Sequence, residues 1–207
     1  MIKRICKVFD LVGSDLRRAG LLPPSSTPIL FARILALPIY QQTRIIVWLR
    51  LATEGPQWSK PVSRFFLRAL YFIEVGKSLH IGRALRLPHP QSIILGDGVQ
   101  IGDDVSIAQF VTIGGNFRKS RNRSGVPQKL PVVGSRVTIG PGAVIGGPVV
   151  IGDDVVIGAN AVITKDIPSN RVAYGLSQIS KKRIVVDPTG SYNELNESTE
   201  AMHKDAP

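Results

Sequence analysis

At 207 residues with 43% apolar content, the chain is long enough for one domain with a sizeable core, or for a domain with a short appendage. Its single cysteine, Cys6, excludes an internal disulfide and fits a reducing compartment. The formal net charge of +11 points to an anionic partner, but no recognition motif or aromatic platform for nucleic acid accompanies it.

The basic start, Lys3, Arg4 and Lys7, is followed by Asp10, Asp15, Arg17 and Arg18, which interrupt any apolar run of leader length. The most apolar stretch, residues 29–52, is broken by Arg33, Pro38, Gln41, Gln42, Arg44 and Arg50, so it predicts helices rather than a span. Helical pattern covers 2–18, 28–37, 41–53 and 62–72, with Pro38, Pro56 and Pro61 as breaks. Residues 1–73 are therefore expected to form a helical appendage. It carries all eleven Lys and Arg that residues 1–75 set against four acids, which suits contact with a membrane surface.

From residue 81 the pattern changes. Ile101, Ile107 and Ile113 lie six apart, as do Ile139, Ile145, Ile151, Ile157 and Ile163; Leu95 and Val133 extend both runs, and Ile81 and Leu87 form an earlier pair. Gly or Ala follows most anchors, and a small or branched residue sits four after each: Val99, Val105, Val111, Val137, Ala143, Val149, Val155 and Ala161. Six residues make one short strand and one corner. Three such units close a triangular coil, and equivalent anchors stack inside it. A parallel β-helix is expected over residues 74–183. Residues 184–207, polar and rich in Ser, Asn and Glu, are expected to be a disordered tail.

Two breaks interrupt the period. Leu87 to Leu95 is two residues too long, and the excess holds Pro88, His89 and Pro90. Ile113 to Val133 predicts a loop leaving the prism over residues 114–132, with Arg118, Lys119, Arg121, Arg123 and Lys129 and no acid between 116 and 130. A histidine held between prolines projects an imidazole whose pKa suits general-base work near neutrality; a plain surface turn is the competing reading.

The segment Leu87-Pro88-His89-Pro90-Gln91-Ser92-Ile93-Ile94-Leu95-Gly96 resembles the surroundings of the catalytic histidine of serine acetyltransferases. Val105-Ser106-Ile107-Ala108-Gln109-Phe110-Val111-Thr112-Ile113-Gly114-Gly115 resembles that family's next hallmark. Gly13-Ser14-Asp15-Leu16-Arg17-Arg18 is a weaker echo of short serine-acetyltransferase-like proteins of surface-polysaccharide pathways. The resemblance spans roughly residues 74–176 and implies a left-handed β-helix that transfers acetyl from acetyl-CoA, with no bound cofactor or metal. It implies His89 as base and Glu74, at the position of a family aspartate, as its orienting carboxylate. It implies Gly114 and Gly115 as oxyanion donors and Ala143 and Ala161 beside the pantetheine arm. Lys165 and Lys182 are placed to meet CoA phosphates, unless they are simply a solvated face. Gln109, Arg121, Arg123 and Lys129 are expected to serve the substrate side. A homotrimer sharing its sites between neighbours is implied too.

One departure bears on the acceptor. The family's Arg-His-Pro at the loop's end is Lys129-Leu130-Pro131 here, so the expected acceptor is a sugar hydroxyl of a surface polysaccharide, with L-serine as the alternative. The expected location is the cytoplasm, with the inner face of the membrane as an open alternative within it. A zinc enzyme needs three protein ligands, and only His80 and His89 lie near the prism. A non-catalytic β-helix used for assembly is the remaining class, and the family-like segment around His89 argues against it.

Overall fold

The computed structural model describes residues 2–21, 41–116, 120–123, 126–175, 178–181, 183–186 and 192–195. The helix expected over 28–37 lies outside them. Among the described residues three helices precede the prism: α1 (Ile2–Arg18), α2 (Gln41–Thr53) and α3 (Ser59–Tyr71). In α1 the buried residues Val8, Leu11, Val12, Asp15 and Leu16 recur every three or four positions, the spacing that turns one helical face inward. Pro56 follows the end of α2. Phe72, in left-handed conformation, ends α3, and Ile73 N–H reaches back to Leu67 O in a Schellman closure. The third helix thus starts three residues before the expected 62.

The prism has three parallel sheets built from short strands of successive coils, with isolated bridges Arg86–Ser106 and Ile151–Ile167 at its two ends. The first holds β1 (Glu74–Val75), β3 (Ile94–Leu95), β6 (Thr112–Gly114), β11 (Val144–Gly146) and β14 (Val162–Ile163). The second holds β2 (His80–Ile81), β4 (Gln100–Ile101), β9 (Val132–Val133) and β12 (Val150–Ile151). The third holds β5 (Ser106–Ile107), β10 (Thr138–Ile139), β13 (Val156–Ile157) and β15 (Arg171–Tyr174), with β16 (Gln178–Lys181) added antiparallel. Register puts like on like: Ile101 on Val133 on Ile151, and Ile107 on Ile139 on Ile157. All are buried, as are Val99, Val105, Val111, Val137, Val149 and Val155 between them. The six-residue period is therefore the packing of the core itself. Gly102 shows why small residues follow the anchors: a Cβ there would lie 2.7 Å from the Gly134 carbonyl of the next coil.

Outside the prism, β7 (Arg121–Arg123) and β8 (Val126–Gln128) pair antiparallel, so the long excursion contains a hairpin. Gly114 still belongs to β6 and Val132 to β9, so the chain leaves the prism between them. A contraction not foreseen from the period follows: Val156 pairs with Val172, 16 residues on, where the preceding coil advances 18 from Thr138 to Val156. Within the tail expected to be disordered, β17 (Arg183–Val186) pairs antiparallel with β18 (Tyr192–Leu195). The β-branched run Ile184-Val185-Val186 favours that extended pairing, and the polar composition of the remainder hid it.

The helices are fastened to the first coil by polar contacts. Arg50 donates to both carboxylate oxygens of Asp15 (2.6 and 2.8 Å) and to the carbonyls of Ile81 and Gly82 (2.8 and 2.6 Å). Asp15 accepts from Leu85 N–H, and Ser14 Oγ from Ala84 N–H. Nearer solvent, Arg83 bonds Asp10 at 2.7 Å and thereby holds that carboxyl below the usual range, and Arg18 pairs with Asp104. Among the described residues no helix is long and apolar enough to cross a membrane.

Candidate active site

The site is built on the widened coil. Glu74 pairs with Ile94, 20 residues on, whereas Ile94 pairs with Thr112, 18 on; the two extra residues lie in the coil that carries His89. Pro90 is buried and pins the turn, while His89 is exposed. His89 and Ser92 both have φ of 52°, the left-handed region that non-glycine residues seldom occupy. Ser92 shares that conformation with Phe72, Phe110, Gly142 and Asn160 at the equivalent corner of the other coils, whereas His89 lies in the widened stretch.

Along the same corner the next coils are tied on by main-chain bonds, Phe110 N–H to Gln91 O and Gly142 N–H to Gln109 O. Phe110 also has positive φ, 61°, and stands 56% exposed. The sequence reading passed over it. An aromatic at a corner that the repeat does not require to be apolar was the available signal.

Glu74 lies on the outer face of the first sheet, exposed, with Arg68 Nε 3.4 Å from its Oε1. Among the described residues its ionic partner is Arg68, and no hydrogen bond joins it to His89. Gly114 closes β6, and a Cβ added to it would meet open space. Gly115 is exposed, and among the described residues no acceptor faces its N–H. An amide so placed can donate to an oxyanion.

Ala143 and Ala161 are each 0% exposed. Their side chains are buried in the prism core, where the repeat needs small residues. Lys165 is exposed, while Lys182 lies outside the described residues.

The loop is less free than its composition suggested. Arg121 donates to Asp166 at 2.7 Å, and Asp166 in turn accepts from Val150 N–H. Gln128 Nε2 donates to the carbonyls of Leu130 and Val149. Counting acids only within the loop missed Asp166, which the prism supplies. Arg123 is in β7, but its side chain lies outside the description; Lys129 is exposed. Leu130 seats on glycines: a Cβ on Gly98 would come within 2.7 Å of its Cδ1, and one on Gly115 within 3.4 Å of its Cδ2. Gly98, at φ 82°, is thus needed both for its turn and for room.

The coil architecture defines a hexapeptide-repeat fold of serine-acetyltransferase-like kind. The family model for bacterial transferase hexapeptide (six repeats) matches residues 131–165. Among solved structures, serine acetyltransferase isoform 3 from Entamoeba histolytica, in complex with cysteine, superposes with a TM-score of 0.65 at 23% identity. That match covers 86% of this chain and 63% of the other. Soybean serine acetyltransferase complexed with serine gives 0.64 at 23% identity, covering 83% and 69%. A serine acetyltransferase in complex with CoA gives 0.62 at 23%, covering 84% and 70%. The chain thus spans less than two thirds of the length of the Entamoeba enzyme. No curated protein matches its sequence. The prism shares with these enzymes the left-handed parallel β-helix.

Proposed function

We propose that this chain is an acetyltransferase that moves an acetyl group from acetyl-CoA to a hydroxyl, with His89 as general base. The observation that carries the reading is the His89 turn: an exposed imidazole on a left-handed backbone, at the one coil widened by two residues. The base takes the hydroxyl proton as the acceptor oxygen attacks the thioester carbonyl. Gly115 N–H, with Gly114 beside it, meets the oxygen that becomes negative. Collapse of the intermediate expels the CoA thiolate, and the imidazolium returns the proton to its sulfur. Glu74 orients the ring in this scheme, for which its carboxylate must turn from Arg68. Lys165, Lys182 and Lys129 supply positive charge for the CoA phosphates. The working unit is a homotrimer with sites between neighbouring prisms.

For the acceptor, solved neighbours that bind serine, cysteine and CoA support L-serine first. The sugar hydroxyl stays as a second reading because of one observation: Leu130, where the family has a histidine, is packed on Gly98 and Gly115, while Arg121 is held by Asp166. That leaves fewer groups to meet a zwitterion's carboxylate, and an unpaired buried charge is costly. Acetyl-CoA turnover by purified protein against L-serine and a panel of sugars decides. A kcat/KM for L-serine near or above about 10⁴ M⁻¹s⁻¹ is expected of a true substrate. Turnover with sugars alone would install the second reading, and no acetyl transfer to any hydroxyl would reject the activity.

A further inference from the structure

One corner of the prism carries aromatics where its geometry least favours them. Main-chain bonds stack this corner coil on coil: Ser92 N–H to Tyr71 O at 3.2 Å, Phe110 N–H to Gln91 O at 3.0 Å and Gly142 N–H to Gln109 O at 3.0 Å. Its turning residues Phe72, Ser92, Phe110, Gly142 and Asn160 have positive φ, at 56, 52, 61, 72 and 55°. That backbone suits glycine and asparagine and strains a bulky side chain. Phenylalanine nevertheless stands there twice, at 72 and 110, and is 65% and 56% exposed, so burial does not offset the strain.

These two positions lie on either side of the widened turn. Ser92 is the corner residue between them, and His89 lies in the two-residue excess of that same coil. At one strand spacing per coil, Phe72 and Phe110 stand about 10 Å apart, with the candidate base in the coil between them. Beyond Phe110 the corner falls to Gly142, which has no side chain to cover the ring.

The surrounding chemistry selects what the rings would meet. Residues 87–93, 108–112 and 140–143 contain no Asp, Glu, Lys or Arg. Of the charges that flank the corner, Glu74 faces Arg68 and serves His89 in the scheme above, and Arg86 precedes the corner at its bridge to Ser106. Gln91 is exposed and Gln109 half-buried, and among the described residues neither side-chain amide has a hydrogen-bond partner. Aromatic rings beside free neutral amides match a neutral sugar. The axial C–H bonds of a pyranose form an apolar face that rests on a ring, and its hydroxyls exchange hydrogen bonds with amides. A zwitterion finds no counter-charge within this corner.

We infer that Phe72 and Phe110 are specificity-determining residues of the acceptor subsite, taking the C–H faces of a neutral pyranose while Gln91 and Gln109 bond its hydroxyls. His89 takes the proton of one further hydroxyl, that oxygen bonds the acetyl carbonyl carbon, and CoA leaves as the thiol. The inference rests on the acetyl-transfer reading with a sugar as acceptor.

The test is steady-state transfer from acetyl-CoA by the full chain, with methyl glycosides of glucose, galactose and N-acetylglucosamine and with L-serine as acceptors. At least one glycoside should be acetylated with a kcat/KM above that of L-serine. Phe110→Asn should raise the glycoside KM about tenfold, the loss expected for one aromatic contact, and leave the KM for acetyl-CoA in place. Asparagine occupies the same corner at 160, so the fold and the light-scattering mass should be kept. Phe110→Tyr should restore the glycoside KM, because it offers the same ring face. Phe72→Asn should act in the same direction, and it supplies the comparison if Phe110→Asn misfolds. Glycoside acetylation with KM unmoved in both asparagine variants would overturn the inference and leave the acetyl-transfer reading standing. So would turnover of L-serine without any glycoside. Absence of transfer to every hydroxyl would overturn both. A lower mass for Phe110→Asn would also overturn the inference, by placing that ring against a neighbouring prism.

Discussion

Arg50 and Asp15 form a bidentate ion pair in which both side chains are fully buried, 35 residues apart in sequence. The pair spans α1 and α2 and continues into the first coil through Ile81 O, Gly82 O and Leu85 N–H. Two buried charges cost several kcal/mol each to dehydrate, so the pair need not stabilise the fold relative to apolar packing. It does fix how the helices seat on the prism, because the same two side chains bond Ile81 O, Gly82 O and Leu85 N–H of the first coil. Coil one, which carries Glu74 and leads to His89, is held by that seating.

Removing one partner strands the other. Arg50→Ala should destabilise the protein by about 3–5 kcal/mol, the cost of an uncompensated buried charge plus lost packing. Chemical denaturation of the two proteins measures it. A change under about 1 kcal/mol would mean that water reaches the site and solvates Asp15.

His89→Asn should lower kcat by about 10²–10⁴ while leaving thermal stability intact. Asparagine is the suitable replacement because it accepts the left-handed backbone that His89 occupies, so any loss of rate is chemical rather than conformational. Wild-type kcat in this variant would remove His89 from the mechanism.

Glu74→Gln separates two roles for that carboxylate. If it orients His89 in the transition state, kcat falls while the KM for acetyl-CoA holds. If it serves only Arg68, both parameters stay put, since an exposed ion pair 3.4 Å apart contributes about 0–1 kcal/mol. Steady-state kinetics against acetyl-CoA distinguishes them, and the oriented-dyad outcome is expected.

The loop's charge gives a graded expectation. Arg121 is already partnered by Asp166, so Arg121→Gln should change acetyl-CoA KM and its salt dependence little. Lys129→Gln, at an exposed lysine with no acid partner among the described residues, should raise KM and flatten the salt dependence. Equal effects of the two substitutions would show that the Arg121–Asp166 contact opens in solution.

Much of this architecture was legible because the six-residue period is a local rule: each anchor is buried by its equivalents one coil away, and the spacing records the geometry directly. The His89 turn was legible for the same reason, as an error in the count. What stayed hidden depends on partners far apart in sequence. Asp15 and Arg50 occupy ordinary helical positions and carry no periodic signal. Asp166 lies 45 residues from Arg121. Ala143 and Ala161 fit both a family motif and the repeat, and their burial shows the repeat's demand met.

The last prediction concerns assembly. Register aligns the outward positions of the first sheet into one column, Glu74, Ile94, Thr112, Val144 and Val162. Ile94 and Val144 are 41% and 38% exposed on it, and Phe110 stands open at the adjoining corner. A flat face of large apolar groups beside the candidate base calls for cover, and a neighbouring prism offers an equally flat one. Val144→Glu adds charge in the middle of that face without touching the interior, so each prism should still fold. Light scattering should then show monomers in place of the proposed trimers, and acetyl transfer should fall with the loss of assembly, as a site shared between prisms requires. A variant that keeps its mass, or a monomer that keeps full activity, would place the interface elsewhere and make the His89 corner sufficient by itself.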